Sequence, residues 1–308
     1  MGIITSVIQT ALPVFAALAL GVFCRSKSFL SRDNIDALKK VVINLTLPFV
    51  LVNAFSTAEY SVQTIVLPVV MFAVCCLALG LGFLFCKVLK IPGRLTPFLA
   101  TGFEAGMLGY ALFALLFPDV SISNFAIIDI GQTLFVFTLF KILISGRSDP
   151  KLILKDMAKT PILWATFAGI LIGATGLYDV LEQHHLSGIL ISLTDFLSAP
   201  TGMIILLTVG YDLVLKEIPW KQVGGFIAMR LVIMVICVFA MIFVNRTLLG
   251  GLIFEGAAIL MCILPPPYVI PVFADEPAER SRIAGSLSAL TLVTIILFAV
   301  YSVVVNAI

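Results

Sequence analysis

Setting aside lysines at their ends, six charged residues fall inside long apolar stretches of this 308-residue chain: Glu104, Asp129, Asp195, Asp212, Arg230 and Glu255. A charge at a bilayer centre costs ~2.5–3.5 kcal/mol on insertion scales and less near an interface, so such residues mark pathways, proton relays or mutual pairing. Glu104 lies nine residues past Leu95, roughly 14 Å along a helix rising ~1.5 Å per residue, which is near mid-depth. Arg230 lies nine residues past Lys221, at a comparable depth from the same side. A carboxylate at that depth can couple transport to a proton or sort solutes by charge, and a guanidinium can balance an anion. The two also suit one another as a structural ion pair, and the sequence leaves both readings open. Asp195 precedes Pro200 within its stretch, which makes it a better site residue than Asp129; Asp212 and Glu255 stand near stretch ends and can reach the interface.

Two stretches have a backbone that cannot run as continuous helix. One reads Thr101-Gly102-Phe103-Glu104-Ala105-Gly106-Met107-Leu108-Gly109-Tyr110, with three glycines around a carboxylate. The other holds Leu264-Pro265-Pro266-Pro267-Tyr268 and then Pro271. Consecutive prolines remove backbone donors and clash with preceding carbonyls, so the helix opens there. Freed backbone groups in a membrane must face protein or a watery cavity. Pro and Gly are frequent in membrane helices, so a mere kink is the blander reading of either break. Two breaks in corresponding positions instead point to a transport site near the midplane. The substrate-binding residues expected there are Glu104, Gly106, Met107, Gly109, Arg230, Pro265, Pro266 and Pro267, with Asn44 and Asp195 from two proline-containing stretches.

The elements that position these residues follow from composition. The chain is 61% apolar and 12% charged, with mean hydropathy +1.16, against about 25% charged in soluble domains. Its apolar runs reach ~20 residues, the length needed to cross a ~30 Å hydrocarbon core as helix. A membrane barrel would show ~10-residue alternating segments instead. Ten spans are expected, near Ile3–Cys24, Leu38–Phe55, Val62–Val88, Leu95–Phe117, Ser123–Ile144, Thr160–Leu177, Ile189–Leu215, Val223–Phe243, Gly251–Phe273 and Ile283–Asn306. Of the 19 Lys and Arg residues, 17 fall on the odd-numbered connections or the helix ends beside them. The excess of Lys and Arg on cytoplasmic loops puts those connections in the cytoplasm and both termini outside the cell membrane.

Five spans per half force opposite orientations on residues 1–145 and 160–308, with residues 146–159 as a cytoplasmic linker. Leu45-Thr46-Leu47-Pro48 in the second span matches Leu197-Ser198-Ala199-Pro200 in the seventh, 152 residues later, with Asn44 and Asp195 just upstream. The fold class expected is an all-α membrane protein of two inverted five-helix repeats. Chance similarity between apolar helices is the competing reading.

The six cysteines lie in or at the ends of apolar runs without ligand spacing and read as small buried hydrophobes. Met1–Thr10 lacks the basic start of a cleavable signal peptide. His184 and His185 sit in an outer loop, so they read as solvated surface rather than a metal pair, and an intramembrane enzyme lacks a convergent set of catalytic groups. No cofactor, resident metal, catalytic residue or nucleic-acid partner is expected.

The chain resembles the auxin efflux carrier family, bacterial permeases related to the plant PIN auxin carriers. The resemblance runs through all ten spans and is most specific at Leu264-Pro265-Pro266 and Pro271-Val272-Phe273-Ala274; Asn44-Leu45-Thr46-Leu47-Pro48 is similar to the second-span signature. It implies crossed broken fourth and ninth helices, with Gly106, Met107, Leu108 and Gly109 facing Pro265, Pro266 and Pro267. It also implies a scaffold of spans one, two, six and seven, an elevator-like motion of the rest, and a small organic anion as substrate, such as an auxin or malonate. Many members have asparagine where this chain has Phe103-Glu104-Ala105, and an ionised Glu104 would repel an anion. The rival readings are a sodium- or proton-coupled symporter of the bile-acid-transporter type and a non-transporting membrane sensor. Proton, sodium or no coupling, and a homodimer or monomer, stay open.

Overall fold

A computed structural model of the chain describes residues 2–58, 60, 65–145, 159–213, 220–274 and 276–307. Among these the regular structure is entirely helical, with no strand. Helix α1 is Gly2–Ser26. Helix α2, Arg32–Val41, starts on Ser31, whose hydroxyl accepts from the Asn34 N–H, and carries Asp33 in its first turn and Lys39 and Lys40 in its last. That charge order complements the helix dipole. A widened turn of π type, Val42–Thr46, leads into α3, Leu47–Ser56. Pro48, in the first turn of α3, cannot donate to a carbonyl in the preceding turn, which accounts for the local widening.

Helix α4 is Val66–Val88. The fourth span follows as a 3₁₀ turn, Thr96–Ala100, an extended break, a second widened turn, Ala105–Gly109, and α5, Tyr110–Leu116. Helix α6, Ser123–Phe135, passes through a third widened turn, Val136–Phe140, into α7, Lys141–Ser145. The second half holds α8 (Pro161–Ala174), α9 (Leu177–Gln183), α10 (Ser187–Ser198), α11 (Thr201–Asp212), α12 (Trp220–Thr247), α13 (Glu255–Ile263) and α14 (Pro277–Ala307). Pro200 parts α10 from α11 just as Pro48 marks the junction at α3, so the repeated Leu-x-x-Pro stretch sits at a helix interruption in both halves.

Six described segments are long and apolar enough to cross a membrane, or seven if α8 and α9, bent by 62°, form one span. The other expected spans are α1 with Pro13 inside it, the α2–α3 segment with its charged start, and the ninth, cut by its prolines into α13 and the short turn Ile270–Phe273. Residues 146–158 of the expected linker, residues 62–64 of the third span and residues 214–215 of the seventh lie outside the described residues.

The two most extensive helix pairings are α1 on α11 and α3 on α8. Both depend on missing side chains. A Cβ on Gly210 would stand 2.2 Å from the Leu18 carbonyl oxygen, and one on Gly169 would stand 2.7 Å from Phe55 Cβ. A second group forms around α4, which packs against α6, α12 and the Thr96–Ala100 turn.

Candidate functional site

The two breaks meet. Thr101 is extended, its hydroxyl donating to the Cys75 carbonyl at 2.7 Å. Gly102 adopts φ +68°, a left-handed conformation in which a side chain would be strained. A Cβ there would also stand 2.8 Å from Pro267 Cγ. The Glu104 N–H donates to the Pro265 carbonyl at 2.9 Å, and the Tyr268 N–H donates to Glu104 Oε2 at 2.6 Å. Arg230, 3% exposed, donates to the carbonyls of Leu99 (2.7 Å), Gly102 (3.0 Å) and Leu264 (2.8 Å). Its guanidinium carbon lies 5.6 Å from the Phe103 ring centroid. Thr294 donates to the Ile263 carbonyl at 2.7 Å. Backbone groups freed by glycine and proline are thus taken up by the opposite break and by buried side chains, as a water-poor interior requires.

Above the breaks lies a cavity of about 470 Å³. Glu104, Asp129 and Gln132 form its polar inner end, and Leu47, Phe103, Met107 and Phe140 are among its apolar walls. It extends past Lys39 and Lys141 to Thr160, which are helix-end residues of the side carrying the basic connections. All three widened turns contribute lining: Ile43 from the first, Gly106 and Met107 from the second, Val136 and Phe137 from the third. Such turns occur often at functional sites because they shift side chains off the regular helical register.

Asp129 and Gln132 lie three residues apart on α6 and face inward together. Asp129 accepts from the Tyr110 hydroxyl at 2.9 Å and from Gln132 Nε2 at 3.3 Å. Gln132 Nε2 also donates to the Phe103 carbonyl at 2.8 Å, which fixes the amide orientation, and its buried Oε1 has no partner. A neighbouring cavity of about 400 Å³ shares Lys39 and Tyr268 with the first and is lined by Arg32, Asp212 and Thr291. Asp212 accepts from both Arg32 and Lys39. Burial opposes the charge of Arg32, and Asp212 and Asp36 outweigh it, so its pKa lies above the ordinary arginine value.

Of the residues expected from sequence, Glu104, Gly106, Met107 and Pro267 line the cavity. Pro265 and Pro266 are buried in the break, and Gly109 packs where a Cβ would stand 2.6 Å from the Phe125 ring and 2.7 Å from Leu264 Cδ1. Asn44 is exposed and donates to the Lys40 carbonyl at 2.8 Å; Asp195 is exposed on α10 and accepts from Asn53 at 3.3 Å; neither lines the cavity. Arg230 does not line it either, and its guanidinium meets backbone carbonyls, not Glu104, so the ion pair between the two is not formed. Glu255 pairs with Arg246 at 2.7 Å, away from the cavity.

A sequence model of the Mem_trans family, described as membrane transport protein, matches residues 6–157. Residues 6–157 belong to the auxin efflux carrier family. This match and the long apolar helices support a multi-pass membrane protein whose residues 6–157 fit a membrane-transport family. A search of curated proteins gave no match. The region assigned to the auxin efflux carrier family contains Lys39, Glu104, Asp129, Gln132 and Lys141, which are the cavity's charged lining and its orphan carbonyl. Residues that sequence reasoning missed or ranked low are Asp129, Gln132, Tyr110, Tyr268 and the two lysines. The Asp129-x-x-Gln132 spacing inside an apolar stretch was the available signal for the first two.

Proposed function

We propose that the chain is a secondary transporter that carries a small carboxylate-bearing organic solute through the cavity by alternating access. The observation that carries this reading is a ligand-sized, largely apolar cavity with a polar inner end at two touching helix breaks. Its volume of about 470 Å³ falls in the ~300–1,000 Å³ range of small-molecule sites. Lys39 and Lys141 meet the solute carboxylate, and Glu104 sets coupling or selectivity. Arg230 acts as a brace between the breaks and not as a counter-charge for the solute.

An inverted ten-span repeat is supported by reciprocity. If spans one to five correspond to six to ten, the pairing of the first span with the seventh maps onto that of the sixth with the second. These are α1 with α11 and α8 with α3, the two most extensive pairings. The same four spans make the expected scaffold, and the α4 group with the two broken helices makes the mobile unit. The cavity lies between them, with Leu47, Leu51 and Ile162 on the scaffold side and Glu104, Asp129 and Pro267 on the other. Because the cavity reaches the basic helix ends, the conformation is open to the cytoplasm. On the far side Phe113, Phe117, Phe125 and Phe254 pack ring on ring, with Phe117 and Phe254 centroids 5.0 Å apart.

The acceptor-rich inner end also suits the second reading, a symporter whose coupling cation sits by Glu104 and Asp129. The test is current from proteoliposomes on a solid-supported membrane, scanning small carboxylates with and without proton and sodium gradients, beside Glu104→Gln. A saturable current that loses its pH dependence in the variant places coupling at Glu104. A sodium-dependent current favours the symporter, and neither current nor uptake of any labelled solute by folded protein contradicts transport.

A further inference from the structure

The inner end of the cavity carries more acceptors than its own donors satisfy. Glu104 receives the backbone N–H groups of Tyr268 and Met107. Asp129 receives Tyr110, Gln132 and, at 3.5 Å, the Thr133 hydroxyl, while each carboxylate offers about four acceptor sites. Gln132, 6% exposed, has its Oε1 buried without a donor. An unsatisfied buried carbonyl costs ~1–3 kcal/mol, which adds to the surplus of acceptors around this end.

The cavity's lining charges are two lysines and two carboxylates, with the cations toward the basic helix ends and the anions at the breaks. A dicarboxylate would add two negative charges to a site whose two lysines do not outnumber its two carboxylates and whose Lys39 already pairs with Asp212, and burying unpaired charge is costly. A solute that is itself dipolar meets no such cost. Between the poles the walls are apolar, including Leu47, Leu51, Met107 and Phe140.

We propose that the solute is a zwitterion, an apolar amino acid, with its carboxylate toward Lys39 and Lys141 and its ammonium on Glu104 and Asp129. This rests on the transport reading and names its substrate class. It also gives Glu104 a positive role: the carboxylate that would repel a simple anion is the group that recognises the ammonium.

The test is uptake by the reconstituted full chain of labelled L-leucine, L-valine and L-phenylalanine beside 4-methylpentanoate, 3-methylbutanoate and 3-phenylpropanoate, which lack only the amine. Saturable uptake of at least one amino acid, exceeding its desamino partner by about tenfold or more, is expected, because a site built to bond an N–H rejects the analogue lacking it. Glu104→Gln and Asp129→Asn each should erase most of that preference; if one variant fails to fold, the other carries the comparison. Ligand-induced thermal stabilisation of the native chain by the same pairs gives a readout independent of flux. Uptake of a desamino acid equal to or above its amino acid overturns the zwitterion while leaving transport intact. No uptake and no stabilisation by any amino acid, with malonate carried, overturns it in the same way; no uptake of any solute by folded protein overturns transport as well.

Discussion

Arg230 donates to carbonyls of both breaks, and its loss should be felt as unsatisfied acceptors and not as a lost substrate contact. Arg230→Met leaves three buried carbonyls without donors, at ~1–3 kcal/mol each, offset in part by local relaxation. Thermal unfolding in detergent should show a clear drop in stability, with Arg230→Lys between the two because one ammonium cannot span all three acceptors. An unchanged melting point in Arg230→Met would remove the brace. Sequence gave the depth of Arg230 and Glu104 but not their partners, because a helix position fixes height while the direction faced depends on packing. The same gap explains Asn44 and Asp195: both precede span prolines, yet both side chains point to their own surroundings and not to the cavity. Asp129 was legible only as an intramembrane charge, since its value comes from Gln132 and Tyr110 beside it.

At the scale of elements, the helix breaks were legible because proline and glycine act through covalent geometry, which no tertiary context removes. The three widened turns were not, since only the one at Pro48 has a proline to announce it. Helix pairing was equally hidden, although its cause is local. Gly210→Val should weaken the α1–α11 pairing severely, because any Cβ there collides with the Leu18 backbone. Gly224 in α12 has nothing within 4 Å of where its Cβ would stand, so Gly224→Ala should be neutral or stabilising by up to ~1 kcal/mol through helix propensity. Expression and melting temperature of the two variants should diverge; parallel behaviour would mean the close approach is not what holds the pair.

For the whole molecule, hydropathy and the one-sided Lys and Arg distribution already implied a multi-pass helical bundle, because both reflect the bilayer more than the fold. What they could not give is which face is open. The cavities reach the basic helix ends, so Ser281→Cys and Ser288→Cys, both lining the smaller cavity, should react with an impermeant maleimide from the cytoplasmic side in inside-out vesicles. They should be protected in right-side-out vesicles. Reaction from the outside alone would reverse either the orientation or the open face.

The central claim, that the cavity over the paired breaks is the path of the solute, is tested most directly at Thr133, which lines it one residue from Gln132. In Thr133→Cys, a neutral methanethiosulfonate reagent should block solute flux, bound solute should slow that block, and the native chain should stay insensitive under the same treatment. Flux that persists after complete modification of Cys at this position would contradict the account, because a transported solute could not then pass through this cavity.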